Sequence, residues 1–198
     1  DEFVERFASR TAAIQIGQPL DEKVEVGPLI SAGQRQRSLN YVALGREEGA
    51  ELVIGGVVPA MPKIGEGYFM QPAILARVDN KMRVAQEEIF GPVVSLIPVK
   101  DFDDSIEACN SIEYGLSSAI YTKDVNKAFE AMQRIEAGIT YINSSTIGAE
   151  VHLPFGGMKH TGIGTREGGI EGINEFSETK TVFVDYSGKL QRAQIDVS

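Results

Sequence analysis

Cysteine occurs once in this sequence, at Cys109, and histidine only twice, at His152 and His160. A single thiol excludes an intrachain disulfide and is compatible with a reducing, cytoplasmic setting, which is the expected location. The two histidines are too far apart for a zinc-ligand pair and have no cysteine beside them, so no metal is expected. Positive charge is also short. Nineteen Lys and Arg against 28 Asp and Glu leave a net charge of −9. No basic stripe could neutralise phosphates, so nucleic acid is not an expected partner. No apolar run approaches the ~20 residues that span a bilayer. Neither a secretion signal nor a lipidation motif is read in the chain, so no membrane partner is expected. A nucleophile elbow, a metalloprotease helix motif and a phosphate-binding P-loop are missing as well.

What remains is an ordinary globular composition over 198 residues, 42% apolar and 24% charged, enough for one sizeable core. Helical spacing at Phe3, Val4, Phe7 and Ala8 predicts a helix over 1–16 that stops at Gly17. A helix in full stride at the first residue suggests that further sequence lies upstream. Ser31 and Gln34 have the spacing of a capping box that opens a second helix through Arg46. Residues 51–54 read as a short strand and 57–67 as a surface excursion. Residues 68–78 read as extended, with Pro72 confining part of them to an edge or an irregular position.

From residue 93 the pattern becomes regular. Strands over 93–99, 117–122 and 139–143 alternate with helices over 103–110 and 125–136. In the second of these helices Val125, Ala128, Phe129, Met132 and Ile135 form an apolar stripe. Strands separated by single helices imply βαβ units. The expected fold is therefore α/β, an open, mainly parallel twisted sheet with helices on both faces. Residues 144–172 are a long glycine-rich loop, and such length points to function. Residues 179–186 alternate as a C-terminal strand that is free to pair with another chain. A single domain over 1–198 is expected, with a core over 1–143, the loop region over 144–172 and the strand and tail over 173–198.

Three features invite chemistry. Gly162-Ile163-Gly164-Thr165-Arg166-Glu167 imitates a dinucleotide fingerprint, but its sixth position is Glu167 and no strand leads into it. Tight backbone packing is the better reading. Cys109 lies in the helix over 103–110 with no histidine near in sequence, so a buried structural thiol is expected, and no catalytic residue is assigned. Glu87-Glu88-Ile89-Phe90-Gly91-Pro92 places two carboxylates and an aromatic at the mouth of a core strand. Charge there is costly unless something satisfies it, and ligands of open α/β sheets sit at strand ends.

Taken with Gly27-Pro28-Leu29-Ile30, Gly67-Tyr68-Phe69, Tyr114-Gly115-Leu116-Ser117-Ser118-Ala119, Ala137-Gly138, Ile142-Asn143 and Pro154-Phe155-Gly156-Gly157-Met158-Lys159, that stretch resembles the aldehyde dehydrogenase superfamily over nearly the whole chain. The resemblance implies an enzyme that oxidises an aldehyde to a carboxylic acid with NAD or NADP. A cysteine thiolate attacks the aldehyde and a glutamate activates water. It implies that Glu88 binds the hydroxyls of the nicotinamide ribose and that Phe90 packs beside the nicotinamide, with Glu87 structural. It implies that Phe155 lines the aldehyde tunnel. Residues 144–152, with Ser144, Ser145, Ile147 and His152, serve either substrate selection or loop packing. Thr161, where serine is usual, and the extra Thr165 depart from the family pattern. The wording Thr146-Ile147-Gly148-Ala149-Glu150 leans toward the semialdehyde-oxidising branches. The catalytic cysteine, the general base and most of the cofactor-binding domain are expected upstream of this chain. The 198 residues are therefore expected to be inactive alone, to expose surface that meets the absent portion, and to form homo-oligomers. The alternative is an interaction or oligomerisation module without catalysis.

Overall fold

The computed structural model describes residues 1–60, 67–148 and 150–189. The inner part of the excursion over 57–67, Ala149 of the glycine-rich loop and the last nine residues of the tail lie outside them. The elements are α1 (Glu2–Ala12), α2 (Ala32–Glu47), β1 (Glu51–Ile54), β2 (Ala73–Ala76), α3 (Arg83–Gln86), β3 (Val93–Ser95), α4 (Phe102–Asn110), β4 (Tyr114–Gly115), β5 (Ser117–Ile120), α5 (Val125–Arg134), β6 (Ile139–Ile142), β7 (Met158–Lys159) and α6 (Gly169–Glu175).

The fold is α/β, as the pattern predicts, but its strands form three small sheets among the described residues rather than one. The first has the order β1-β2-β3, with β1 antiparallel and β3 parallel to β2. The second pairs β5 with β6 in parallel across the α5 crossover, the expected βαβ unit. The third is the short antiparallel pair β4-β7, which the sequence pattern does not disclose.

Pro72 takes the irregular position of the two that the sequence leaves open, and the strand after it is not an edge. Pro72 stands one residue before β2, where its missing N–H breaks no ladder bond, and β2 is the central strand, buried at every position. Conversely β3 is an edge and only half-buried, with Val94 exposed. Around β2 gather Leu75, Val78, Val84 and Ala50, with Tyr41, Met82 and Val93 packed on them. A second cluster of Val42, Met70 and Ala73 joins α2 to the same strand.

Helix ends follow local chemistry. Asp1, Ser31, Asp101 and Asp124 each accept a backbone N–H of the first turn. The α5 stripe does not pack as expected. Ala128 and Ala131 are buried, while Val125, Phe129 and Met132 are exposed, because the helix approaches its neighbours through its small residues. Residues 179–186 form no strand. They find no strand partner among the described residues, and Phe183 and Tyr186 are almost fully exposed. No helix among the described residues is long and apolar enough to cross a membrane.

Candidate functional site: the loop before β3 and the cleft beside β6

The loop between α3 and β3 separates its side chains by alternation. Glu87 is half-buried, Glu88 exposed, Ile89 buried and Phe90 exposed. Glu87 is held from two directions. Arg83 donates through Nε and Nη2 to its two oxygens at 2.6 and 3.0 Å, and the Tyr41 hydroxyl donates at 2.6 Å. The Arg83 bonds, then the Tyr41 bond, lower the Glu87 carboxyl to about 2. The same hydrogen bond raises the Tyr41 hydroxyl.

A group whose folded pKa is depressed adds stability above its unfolded value, and that stability is lost as pH falls toward the folded one. The Glu87 contribution should therefore fade between about pH 4.5 and about pH 2. Urea midpoints recorded down this range should fall more steeply for the natural chain than for Glu87→Gln; parallel curves would contradict it.

Glu88 differs in every respect. Its backbone oxygen accepts from Arg37 Nη2 at 2.7 Å, but among the described residues no hydrogen bond or ion pair engages its carboxylate. Beside it Phe90 is 74% exposed and its backbone is left-handed, with φ 56°. For a residue with a Cβ that conformation costs about 1–2 kcal/mol. Gln34 offsets it, because its side-chain amide donates to the Ile89 oxygen at 2.9 Å and the Phe90 oxygen at 2.7 Å. Each such bond contributes about 0.5–1.5 kcal/mol. The loop then presses Gly91 onto α2. A Cβ there would lie 2.1 Å from Oγ of Ser38, which is fully buried.

Gln34 thus does not close the capping box. Ser31 Oγ accepts from Gln34 N at 3.1 Å as expected, but the Gln34 side chain is spent on the distant loop. Gln34, Arg37 and Tyr41 are the residues that sequence reasoning missed. Their i, i+3, i+7 spacing on one face of α2 was the available signal.

The second candidate region lies beside β6. Phe155 is half-buried and fixed by reciprocal backbone bonds with Glu167 at 2.6 and 2.7 Å. With Tyr141, Gly148, Glu150, Leu153 and Pro154 it lines a cleft of about 420 Å³. Tyr141 Oη donates to the Gly148 oxygen and ties the loop to β6. Ile147 is 85% exposed and outside the wall of this cleft. His152 is exposed too, with Nδ1 4.0 Å from Glu150. The structure therefore brings Glu88 and Phe90 together on one loop and sets Phe155 in a cleft wall, while Ile147 and His152 are exposed and not part of that wall.

Behind the cleft, Lys159 Nζ donates to the oxygens of Asn110 and Ile112 at 2.6 and 3.2 Å and pairs with Glu136 at 2.8 Å. Asn143, at φ 56°, exchanges side-chain bonds with the backbone of Thr122 and closes the β5-β6 pair. Gly162 packs against the Gly157 backbone, as the tight-turn reading of this glycine run requires. Cys109 corrects an expectation. It is exposed rather than buried, and yet desolvation raises its thiol pKa more than the nearby Lys159 lowers it. Such a thiol is a weak nucleophile at neutral pH. No group of three or more His, Cys, Asp and Glu among the described residues is placed to hold a metal ion.

Comparison with known proteins gives this geometry a context. The aldehyde dehydrogenase family profile matches residues 1–182. The betaine aldehyde dehydrogenase of Brucella melitensis is 42% identical over 185 residues, 93% of this chain and 38% of that protein. That of Rhizobium leguminosarum is 43% identical over 183 residues, 92% of this chain and 37% of the relative. A Mycobacterium tuberculosis aldehyde dehydrogenase solved with NAD+ is 41% identical, with a TM-score of 0.87, over 96% of this chain and 38% of that one. The apo betaine aldehyde dehydrogenase of Staphylococcus aureus superposes with a TM-score of 0.90 at 32% identity, over the same shares. The chain thus spans about 38% of the length of the relatives it matches, and by profile, identity and fold it belongs to the aldehyde dehydrogenase family.

Proposed function

We propose that this chain supplies the nicotinamide clamp and one wall of the aldehyde passage in an NAD(P)-dependent aldehyde dehydrogenase. The observation that carries the reading is the pairing of Glu88, whose carboxylate has no partner among the described residues, with an exposed aromatic, Phe90, on one braced loop. A carboxylate accepts two hydroxyl hydrogen bonds at once, as the vicinal hydroxyls of a ribose require. Phe90 offers a flat apolar face that restricts where a nicotinamide ring can lie, and position is worth much of a hydride-transfer barrier. An acceptor carboxylate beside an apolar ring therefore fits a nicotinamide nucleoside. When bound, the cofactor accepts the hydride from the substrate carbon. Within this chain, Glu88 holds and orients, Phe90 limits the ring's range, and Glu87 serves the fold by anchoring the loop to α2 and α3.

Phe155 bounds the passage for the aldehyde, with Ile147 and His152 on the loop that meets the substrate's far end. The wording of 146–150 favours a semialdehyde, whereas the relatives carry the name betaine aldehyde dehydrogenase. Relative oxidation rates with the two aldehydes would separate these. NAD is the cofactor we favour, since a structural neighbour was solved with NAD+.

The thiolate and general base that the family chemistry needs lie, in this reading, outside residues 1–198. The purified chain is therefore expected to form no NADH from any aldehyde. A protein of the relatives' full length carrying it is expected to do so. Turnover by the 198 residues alone would overturn the assignment.

The exposed apolar tail favours a second role. Val182, Phe183, Val184 and Tyr186 are exposed among the described residues, and we propose that residues 179–186 form a strand against another copy. Sedimentation should show a dimer or higher species, and Val184→Lys should shift it toward monomer. A monomer at all concentrations would refute this role.

A further inference from the structure

We propose that Gln34 is a positioning residue of the cofactor clamp: by donating to the Ile89 and Phe90 oxygens together it holds Phe90 out of the extended region, and so sets the Phe90 ring and the Glu88 carboxylate for the ligand. The argument starts from peptide geometry. The Ile89 and Phe90 carbonyls belong to the two peptide planes on either side of the Phe90 Cα. In extended backbone successive planes alternate, and their oxygens point apart. In helical backbone, of either hand, they align. One side-chain amide can therefore reach both oxygens only when Phe90 leaves the extended region. Here Gln34 Nε2 reaches them at 2.9 and 2.7 Å, and Phe90 stands at φ 56°.

The rest of the loop leaves little else to set that angle. Gly91 fits against Ser38 Oγ only without a side chain, which fixes where the chain passes but not which way Phe90 turns. Arg37 holds the Glu88 oxygen, one peptide earlier. The Phe90 ring itself is 74% exposed, so packing against it holds the backbone only weakly. Gln34 is bonded to both oxygens only while Phe90 stays out of the extended region. It projects from α2, whose first turn is fastened by Ser31, so the amide is presented from a rigid element.

This inference rests on the cofactor reading above, and the experiment separates the two. Gln34→Met keeps length and removes both donors. Gln34→Lys keeps a donor able to serve two oxygens. In the 198-residue chain, the three-bond amide to α-proton coupling and the carbon shifts of Phe90 report its φ. Slow amide exchange at Leu75 reports that the core persists. In a protein of the relatives' full length carrying the same substitutions, KM for NAD and KM for the aldehyde are measured.

Gln34→Met is expected to move Phe90 out of the left-handed region and raise KM for NAD about tenfold, leaving KM for the aldehyde unchanged. Gln34→Lys is expected to restore both. Should Gln34→Met fail to fold, Gln34→Glu, which keeps the length and loses the donor, replaces it. A rise in KM for NAD with Phe90 unmoved would mean that Gln34 touches the cofactor directly, and would overturn the proposal. An unmoved Phe90 with no kinetic change would overturn it too. A moved Phe90 with unchanged KM for NAD would overturn the clamp assignment of Glu88 and Phe90, and the functional half of this proposal with it.

Discussion

Gly138→Ala is expected to lower the melting temperature of the chain by about 6–12 °C, the shift that roughly 3 kcal/mol produces in a protein of this size. A Cβ on Gly138 would lie 1.8 Å from the Gly156 oxygen and 2.8 Å from its carbonyl carbon. Both are backbone atoms, so no rotamer change can make room. Neither side can retreat easily. Gly138 N donates to the Gly115 oxygen at 3.0 Å. On the other side, Phe155 is locked to Glu167 by two short backbone bonds. The methyl group would therefore wedge apart the entry to β6 and the loop that walls the cleft. The same substitution at Gly33 is the control. It lies within α2, where a Cβ meets only Ser31 Oγ at 3.7 Å, and alanine there should stabilise by about 0.5–1 kcal/mol. Paired thermal melts test both. A Gly138→Ala chain melting with the natural one would show that the close approach is not maintained in solution.

Glu88→Gln should weaken NAD binding roughly tenfold to hundredfold in a protein of the relatives' full length, the range for losing charge-assisted hydrogen bonds. It should leave the melting temperature within about 2 °C, because no group among the described residues depends on that carboxylate. Glu87→Gln should do the reverse. The Glu87 carboxylate takes three hydrogen bonds from Arg83 and Tyr41 and faces the fold. Its loss should lower the melting temperature and alter cofactor affinity only through the loop. Isothermal titration with NAD, set beside melts of the two variants, makes the contrast direct. Equal affinity loss in both would refute the division of labour between the neighbouring carboxylates.

The sequence carried the βαβ rhythm after residue 93 because β5, α5 and β6 are local. Each is signalled by its own alternation and cap, and the short loops force adjacency. That Glu87 serves the structure was implied only by the family resemblance, and the fold supplies its physical form in the bonds from Arg83 and Tyr41. The separation into three sheets was not legible. Pairing of β4 with β7 rests on two residues at each end, too short for any periodicity, and is fixed by Lys159 and Thr161 reaching across from the glycine-rich loop. The central place of β2 was left open by Pro72, whose effect depends on a one-residue offset. Gln34 was concealed by a nearer explanation. Its spacing from Ser31 satisfied a local rule, and only the fold could show that its side chain serves a loop 55 and 56 residues away. Exposure of Cys109 could not be read either, since its helical position is compatible with either face.

The Lys159 knot has a consequence for how the chain is made. The sheet β1-β2-β3, with α2 and α3 against it, has all its parts once Ser95 has been synthesised. The second half has no such early closure. The end of α4 and the turn into β6 carry Asn110 and Glu136, and their shared partner Lys159 follows Asn110 by 49 residues. At a translation rate of about 5–20 residues per second, that interval lasts roughly 2–10 s. Throughout it the first half can be native while the second is incomplete on the ribosome. A transcript truncated before Lys159 should therefore yield a chain with a sound β1-β2-β3 sheet and an unsatisfied α4 terminus, a species that chaperones and proteases are well placed to recognise.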